Sequence, residues 1–245
     1  MKKTSKSLLS SLVIVLMIYT VVPHNTNAES ITNYENDSVR DIIDKISEEL
    51  EKEYPNEEKL TDEDKLELEE IIKEQVALIE KETENLELNS FAALSGKYNN
   101  SLTVSKIYRT NLKTANSIKK SYNQYKKSRG ITFANSYRLS IFYTLVKSNG
   151  AWDLKRTLGT KSKYTFMGTK KTGEYIGNHH YGYMGKAIGF SNTVLKSAAG
   201  MYQIYSGTSK WKYISSYFDD PADQKAITKG YTDYNKGYRF PTPIA

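Results

Sequence analysis

A glycine-rich stretch in the C-terminal half limits the possible folds most strongly. Residues 174–190 read EYIGNHHYGYMGKAIGF and contain four glycines at positions 177, 182, 185 and 189. Glycine inside a regular element costs conformational entropy, so four in a short span indicate close backbone approach, positive φ angles or a tight helix contact. We therefore expect the rest of the chain to be arranged around this stretch, with another helix or a ligand lying against it.

The first 28 residues have the pattern of a secretory signal peptide. Three lysines precede an apolar run from Leu8 to Val22, and the Thr-Asn-Ala sequence at 26–28 offers small residues at the usual cleavage spacing. We expect residues 1–28 to be removed, which makes Glu29 the new N-terminus of a secreted protein. The alternative is an uncleaved anchor, for which the apolar run is barely long enough. Because the chain has no cysteine, the exported protein must depend on an apolar core instead of disulfides.

The remaining chain divides into two segments of opposite charge. Residues 29–95 contain 22 acidic and 7 basic residues, whereas residues 96–245 contain 6 acidic and 25 basic residues. Seventeen of the twenty tyrosines lie in the basic segment. We therefore predict an acidic leader or pro-segment at 29–95, with its boundary near Ser95-Gly96, and a basic domain at 96–245 that folds by itself.

The acidic segment has the periodicity of two amphipathic helices. Apolar residues recur at helical spacing from Val39 to Leu50 and again from Leu68 to Ile79. The expected signals at the helix ends are Asp37 or Ser38 as first cap, Tyr54-Pro55-Asn56 as a stop, and Thr61 with Asp64 as a capping box. Two short helices of this kind must pack on each other or on a partner. One interpretation is a solvated leader, and the other is a segment that lies on the basic domain in cis and masks it.

The basic segment also has mainly helical patterning. We predict helices over 104–127, 133–147 and 191–207, and a last helix that begins at Pro221 with Asp220 as its cap. Gly130 separates the first two, Asn149-Gly150 forms a turn, and residues 152–166 fit a short strand pair around Gly159. The predicted fold class is mainly α: an acidic helical leader, then a compact, Tyr-rich, basic α-helical domain with at most a short β-hairpin.

The histidine pair suggests proton-transfer chemistry. His179 and His180 are two of three histidines in the chain, and histidine can act as a general acid or base near neutral pH. Successive residues of a regular element point to different sides, so at most one of the two faces a site. A phosphodiester substrate is compatible with the many lysines of this segment. No ligand spacing predicts a metal, and no cofactor is expected.

Two simpler interpretations compete with that of a catalytic site. Asp220 is placed to act as an ordinary helix cap. A basic, tyrosine-rich surface also suits the anionic envelope of a bacterial cell without any catalysis. The basic residues concerned are Lys119, Lys120, Lys126, Lys127, Arg129, Lys161, Lys163, Lys170 and Lys171.

The C-terminal part of the chain resembles the polymorphic toxin type 44 domain of bacterial secreted toxins and bacteriocin-like proteins. The resemblance covers residues 130–235 in an ordered set of short motifs. These are Asn149-Gly150-Ala151-Trp152-Asp153 with Lys155, Gly177-Asn178, Tyr181-Gly182, Gly185-Lys186-Ala187-Ile188-Gly189, Leu195 to Gly200, Gln203, Gly207-Thr208-Ser209, Asp219-Asp220-Pro221 and Asp223-Gln224. The family more often has Phe-Asn or similar residues where His179-His180 stand. This difference favours the other site candidates over the histidines. The full set of candidate site residues is Asn178, His180, Tyr181, Asp219, Asp220 and Asp223.

The resemblance implies an antibacterial effector without fixing its reaction. The leading hypothesis is a secreted protein toxin, or large bacteriocin, that acts on a target bacterial cell and has a cognate immunity protein. The alternatives are a secreted nuclease-type hydrolase that acts on nucleic acid and a non-catalytic protein that binds an anionic envelope polymer.

Overall fold

The computed structural model describes residues 38–94, 100–196 and 220–240 of the chain. Helices dominate these residues, and one antiparallel pair of strands accompanies them. The predicted mainly α class is therefore confirmed. No helix within the three described ranges has the length and apolarity needed to cross a membrane. The predicted signal peptide, the Ser95-Gly96 boundary, the later part of the helix predicted over 191–207, and Asp219 lie outside these ranges.

The acidic segment forms two helices with the predicted caps. Helix α1 spans Val39–Glu53 and helix α2 spans Asp62–Leu94. The Ser38 hydroxyl accepts a hydrogen bond from the backbone N–H of Asp41, whose carboxylate accepts from the Ser38 N–H in return. Thr61 and Asp64 form the same reciprocal pair before α2. Because α2 has 33 residues, the expectation of two short helices was wrong for the second.

The apolar faces of α1 and α2 belong to the main core of the protein. Ile43, Leu68 and Ile72 are fully buried in one cluster with Tyr137 and Ile141 of the next segment. A helix with a buried stripe of this kind gains most of its stability from tertiary packing. The division into a leader at 29–95 and a separate domain at 96–245 stays a prediction.

Two long helices follow and are separated at a glycine, as expected. Helix α3 spans Asn100–Ser128 and helix α4 spans Gly130–Val146. Gly130 has φ +83°, a left-handed value that glycine adopts easily. Next to it, the Arg129 guanidinium donates hydrogen bonds to Glu67 and Asp64 at 2.6 Å each, which joins this corner to α2.

The strand pair lies later in the chain than predicted. Residues 154–158 form a short helix, α5 (Leu154–Leu158), capped by Asp153. Strands β1 (Lys163–Phe166) and β2 (Thr169–Thr172) follow, with Lys163 opposite Thr172 and Phe166 opposite Thr169. The expectation of strands around Gly159 was therefore wrong, because the Asp153 carboxylate accepts from the Arg156 N–H and starts a helical turn there.

The glycine-rich stretch is a helix in close contact with the last helix. Helix α6 spans Gly173–Ile188, and helix α7 spans Pro221–Asn235. A Cβ atom at Gly182 would lie 2.0 Å from the carbonyl oxygen of Ile227, and one at Gly230 would lie 1.9 Å from that of His179. The two glycines thus let the backbones of α6 and α7 touch. Gly189 ends α6 in the left-handed conformation, with φ +111°.

Candidate functional site

Helix α6 distributes its polar residues over different sides of one helix. Successive residues of an α-helix are rotated by about 100° around its axis, so Asn178, His179 and His180 leave it in different directions. The hydrogen bonds show where each one goes: Asn178 contacts α7, His179 contacts α3 and α7, and His180 contacts α3. The two histidines thus have different hydrogen-bond partners, although the Tyr108 ring lies beside both imidazoles, 5.8 Å from that of His179 and 5.0 Å from that of His180.

Asn178 forms a polar cluster with residues from two other elements. Its side chain is 6% exposed, and its amide Nδ2 donates a hydrogen bond to Oδ1 of Asp223. The Lys155 ammonium lies 3.8 Å from Oδ2 of the same carboxylate. The side chain of Asp223 is 17% exposed and that of Lys155 is 40% exposed, so solvent reaches the cluster. We call Lys155, Asn178 and Asp223 the polar triad.

Local features of the loop after α4 place Lys155. Asn149 adopts φ +63° in the turn, and its N–H donates to the Asp153 carboxylate. Asp153 then starts α5, on which Lys155 lies. A Cβ at Gly177 would meet the Lys155 Cγ at 2.9 Å, so glycine lets this side chain cross α6 closely.

The start of α7 places Asp223. The Asp220 carboxylate accepts from the Ala222 N–H at 2.8 Å, and Pro221 takes the first helical position. The predicted capping role of Asp220 is therefore confirmed. Asp223 lies in the first turn, where the helix dipole favours a carboxylate.

His180 lies in the interior, away from the contacts of the polar triad. Its side chain is 1% exposed, and Nε2 accepts from the amide of Asn111 at 3.0 Å. Burial, with a smaller effect from His179, lowers the pKa of His180 to about 3. The imidazole is therefore neutral at neutral pH, and its contacts hold α6 against α3. A catalytic role for His180 stays a prediction that these contacts do not favour.

His179 belongs to a buried network that joins three helices. Its Nε2 lies 3.0 Å from the Asp233 carboxylate, and its Nδ1 lies 2.9 Å from the Tyr108 hydroxyl. Lys229 pairs with Asp233 from the solvent side. Burial lowers the pKa of His179 to about 4, although Asp233 acts in the opposite direction. Burial would raise the pKa of Asp233, but hydrogen bonds from His179 and Lys229 keep it below its usual range.

Tyr181 has a packing role that the sequence did not predict. Its hydroxyl donates to the carbonyl of Leu195 at 3.0 Å, and its ring lies 5.1 Å from that of Phe142. It thereby holds the start of the helical stretch at 192–196 against α6. Any further role of Tyr181 in a site stays a prediction. Within the described ranges, no three His, Asp or Glu side chains lie close enough to hold a metal ion.

Sequence reasoning missed two groups of polar residues. Lys155 stood among the motif residues but was not chosen for the site, although a lysine at that position could have been recognised as an anion contact. The sequence offers one indication that Asp233 is important, because it is one of only six acidic residues after position 95. Its partners His179 and Tyr108 could not be identified, because 54 residues separate Asp233 from His179 and 71 separate His179 from Tyr108.

Comparison with known proteins identifies the C-terminal part of the chain. Residues 141–236 match the family model described as Bacterial toxin 44. The match confirms the resemblance seen in the sequence, and this part of the chain carries a polymorphic toxin type 44 domain. A bacterial toxin domain implies, in general, a target cell. No curated protein and no solved structure is similar enough to count as a match.

Proposed function

We propose that this protein is a secreted antibacterial toxin, a large bacteriocin, whose killing activity depends on the polar triad. The observation that carries the proposal is the position of the triad within the matched toxin domain. Lys155, Asn178 and Asp223 come from three separate helices, all lie between residues 141 and 236, and meet at a place that solvent reaches. Secretion is supported by the signal-like pattern of residues 1–28.

The triad has the chemistry of a site for a polar or anionic substrate. Asn178 fixes the orientation of the Asp223 carboxylate, which can accept a proton or a substrate hydroxyl hydrogen bond. The Lys155 ammonium can neutralise an anionic group that approaches the same place. The three side chains lie on α5, α6 and α7, and because α5 and α7 both pack against α6, the site needs little reorganisation when a substrate binds.

A nuclease-type hydrolase is the second candidate. Lys155 favours it, because a partly exposed cation beside an oriented carboxylate suits a phosphodiester. In this reading Asp223 would take a proton from the attacking water as the P–O bond to the leaving oxygen breaks. That oxygen would take up a proton from solvent, and Lys155 would contact the phosphate oxygens. The toxin and nuclease proposals are compatible if the toxin kills by hydrolysis.

The test compares variants of the triad with variants of exposed residues. Asn178→Ala and Asp223→Asn should each require at least about 100-fold more protein to inhibit sensitive bacteria, the size of a lost general acid–base contribution. Lys225→Gln, on the exposed side of α7, is the matched control and should kill like the wild type.

Thermal melts of each variant separate chemistry from folding. Loss of the Asn178–Asp223 hydrogen bond, whose acceptor is a carboxylate, should cost about 1.5–3 kcal/mol of stability, which leaves the protein folded at assay temperature. Full killing by both triad variants would contradict the proposed site. Failure of the wild type to inhibit any bacterium, added outside or produced inside, would contradict the toxin proposal itself.

A further inference from the structure

Helix α3 carries a row of lysines on the side opposite the core. The helix contains seven Lys or Arg residues and no Asp or Glu over its 29 residues. Four of its lysines recur every seven residues and are all exposed: Lys106, Lys113, Lys120 and Lys127. Buried residues such as Val104, Ala115 and Ile118 occupy the opposite side. We call the four lysines the lysine row.

The row is nearly straight and long. Seven residues rise about 10 Å, so the row extends over about 30 Å along α3. Successive positions drift by only about 20° around the helix axis, which keeps them on one side. Exposed amide side chains lie among the lysines at Asn116, Asn123 and Gln124. Amides donate and accept hydrogen bonds, so the surface offers both charge and hydroxyl recognition.

The charge of the row is not neutralised by the described part of the chain. No ion pair joins any of the four lysines to a carboxylate within residues 38–94, 100–196 and 220–240. The acidic segment differs, since four of its lysines each pair with a carboxylate; these are Lys52, Lys59, Lys65 and Lys73. A row of unpaired cations at regular spacing is complementary to a row of anions.

The shape of the row and the side chains around it indicate which kind of polyanion can bind. Binding of single-stranded nucleic acid usually needs exposed aromatic rings on which bases stack. The two tyrosines in this part of α3 are half-buried and already contact other side chains: Arg138 lies over the Tyr122 ring, and Tyr125 packs against Phe133 and Tyr137. The phosphate strands of a rigid duplex wind around its axis and so leave a straight row of this length, whereas a flexible linear polymer can follow it.

We infer that the lysine row binds a linear polyol phosphate polymer of the bacterial envelope, the chemistry of teichoic acids. The ammonium groups contact the phosphates, and the amides contact the polyol hydroxyls. This contact holds the toxin at the surface of the target cell, a role that rests on the proposed antibacterial function. The binding itself does not depend on that function.

The experiment measures binding of the full secreted chain to purified poly(glycerol phosphate) over a range of salt concentrations. Lys113→Gln/Lys120→Gln/Lys127→Gln should weaken binding about 100-fold at low salt, since each lysine near an anionic surface contributes roughly fivefold. The slope of log K against log salt should fall by about 2, because each lost phosphate contact removes about 0.7. The matched control is Lys161→Gln/Lys163→Gln/Lys170→Gln, which removes three exposed charges near the hairpin and should change neither quantity appreciably.

Three results would overturn the inference. Equal losses in the row variant and the control would show that only net charge matters. Binding of polyglutamate as tight as that of poly(glycerol phosphate) would exclude phosphate recognition. Tighter binding of a 20-bp DNA duplex, lost in the row variant, would assign the row to nucleic acid.

A cell assay separates this inference from the proposed function. The row variant should kill less when added from outside but should inhibit growth fully when produced inside a sensitive cell. A wild-type protein that binds the polymer but never kills would contradict the toxin proposal and leave the binding surface intact.

Discussion

Adding one methyl group between α6 and α7 should destabilise the protein measurably. In Gly230→Ala the new Cβ would lie 1.9 Å from the His179 carbonyl oxygen and 2.9 Å from the Tyr183 nitrogen. In Gly182→Ala it would lie 2.0 Å from the Ile227 carbonyl oxygen. These are backbone atoms, which cannot rotate away. Close-packed interiors leave no room for an extra methyl group, so the helices must separate by about 1 Å.

The magnitude follows from two opposing effects. Overpacking typically costs about 1–3 kcal/mol, and clashes with backbone atoms belong at the upper end of that range. Alanine in a helix interior is favoured over glycine by about 1 kcal/mol, which offsets part of the cost. We therefore expect each variant to lose about 2 kcal/mol of unfolding free energy, with a fall in melting temperature of about 4–8 °C for a chain of this length.

The double variant supplies a second, stricter expectation. One separation of α6 from α7 makes room for both methyl groups, so the two costs should not add. Substitutions at contacting sites typically couple by about 0.5–3 kcal/mol. The loss of unfolding free energy in Gly182→Ala/Gly230→Ala should therefore be smaller than the sum of the two single losses by about 1 kcal/mol or more. Urea unfolding followed by far-UV circular dichroism measures all three values. Lys225→Ala, exposed on α7, is the control and should stay within about 0.5 kcal/mol of the wild type.

A stabilised Gly230→Ala protein would refute this reasoning. It would mean that helix propensity dominates and that the α6–α7 backbones do not touch. Strict additivity in the double variant would likewise mean that the two glycines act at independent places.

Two further predictions concern the buried histidines and the acidic segment. Burial lowers the pKa of His179 to about 4 and that of His180 to about 3, whereas both side chains titrate near 6.5 in the unfolded chain. The two histidines therefore contribute fully to stability above pH 6.5, and this contribution is lost as the pH falls toward 4. The unfolding free energy should then fall by up to about 2.7 kcal/mol per pH unit in that window, and urea unfolding from pH 7.5 to 5 checks this, with His180→Gln expected to halve the slope. Removing residues 29–95 strips the core of seven buried aliphatic side chains, each worth about 1.5 kcal/mol or more, a loss comparable with the whole stability of a domain. Fragment 96–245 should therefore melt without a cooperative transition in circular dichroism, and a cooperative melt would support the independent domain expected from the sequence instead. The seven side chains are Ile42, Ile43, Leu50, Leu68, Ile72, Val76 and Ile79.

Helix ends could be predicted from the sequence because capping is a local interaction. The Ser38–Asp41 and Thr61–Asp64 pairs each connect residues three apart, and Asp220 binds a backbone N–H two residues later. The side chain and its backbone partner are therefore neighbours in the sequence.

The hairpin was misplaced because its turn has an uncommon residue. Met167 adopts φ +49° before Gly168 at φ +76°. A non-glycine residue with positive φ is uncommon, and the usual Asn-Gly or Asp-Gly signal of such turns is missing. The predicted turn residue, Gly159, does have φ +73°, but it ends α5 instead of joining two strands.

The candidate site could be predicted only in part, because its contacts span long distances in the sequence. Asn178 and Asp223 were both selected, and the structure brings them together although 45 residues separate them. His180 was selected for its chemistry, but it lies buried beside Asn111, so its catalytic role stays a prediction. Residue type alone does not tell a buried histidine from one that faces solvent.

The glycines of α6 connect packing with the proposed chemistry. Gly177 lets Lys155 cross the helix, and Gly182 lets α7 approach, so both positions adjust the surroundings of Asn178. Asn178 meets Asp223 only while α7 stays in contact with α6. A methyl group at Gly230 would therefore move the Asp223 carboxylate relative to the Asn178 amide as well as destabilise the fold. For this reason we expect Gly230→Ala to lose more killing activity than its fall in melting temperature explains, whereas a packing change far from α7 would reduce both in proportion.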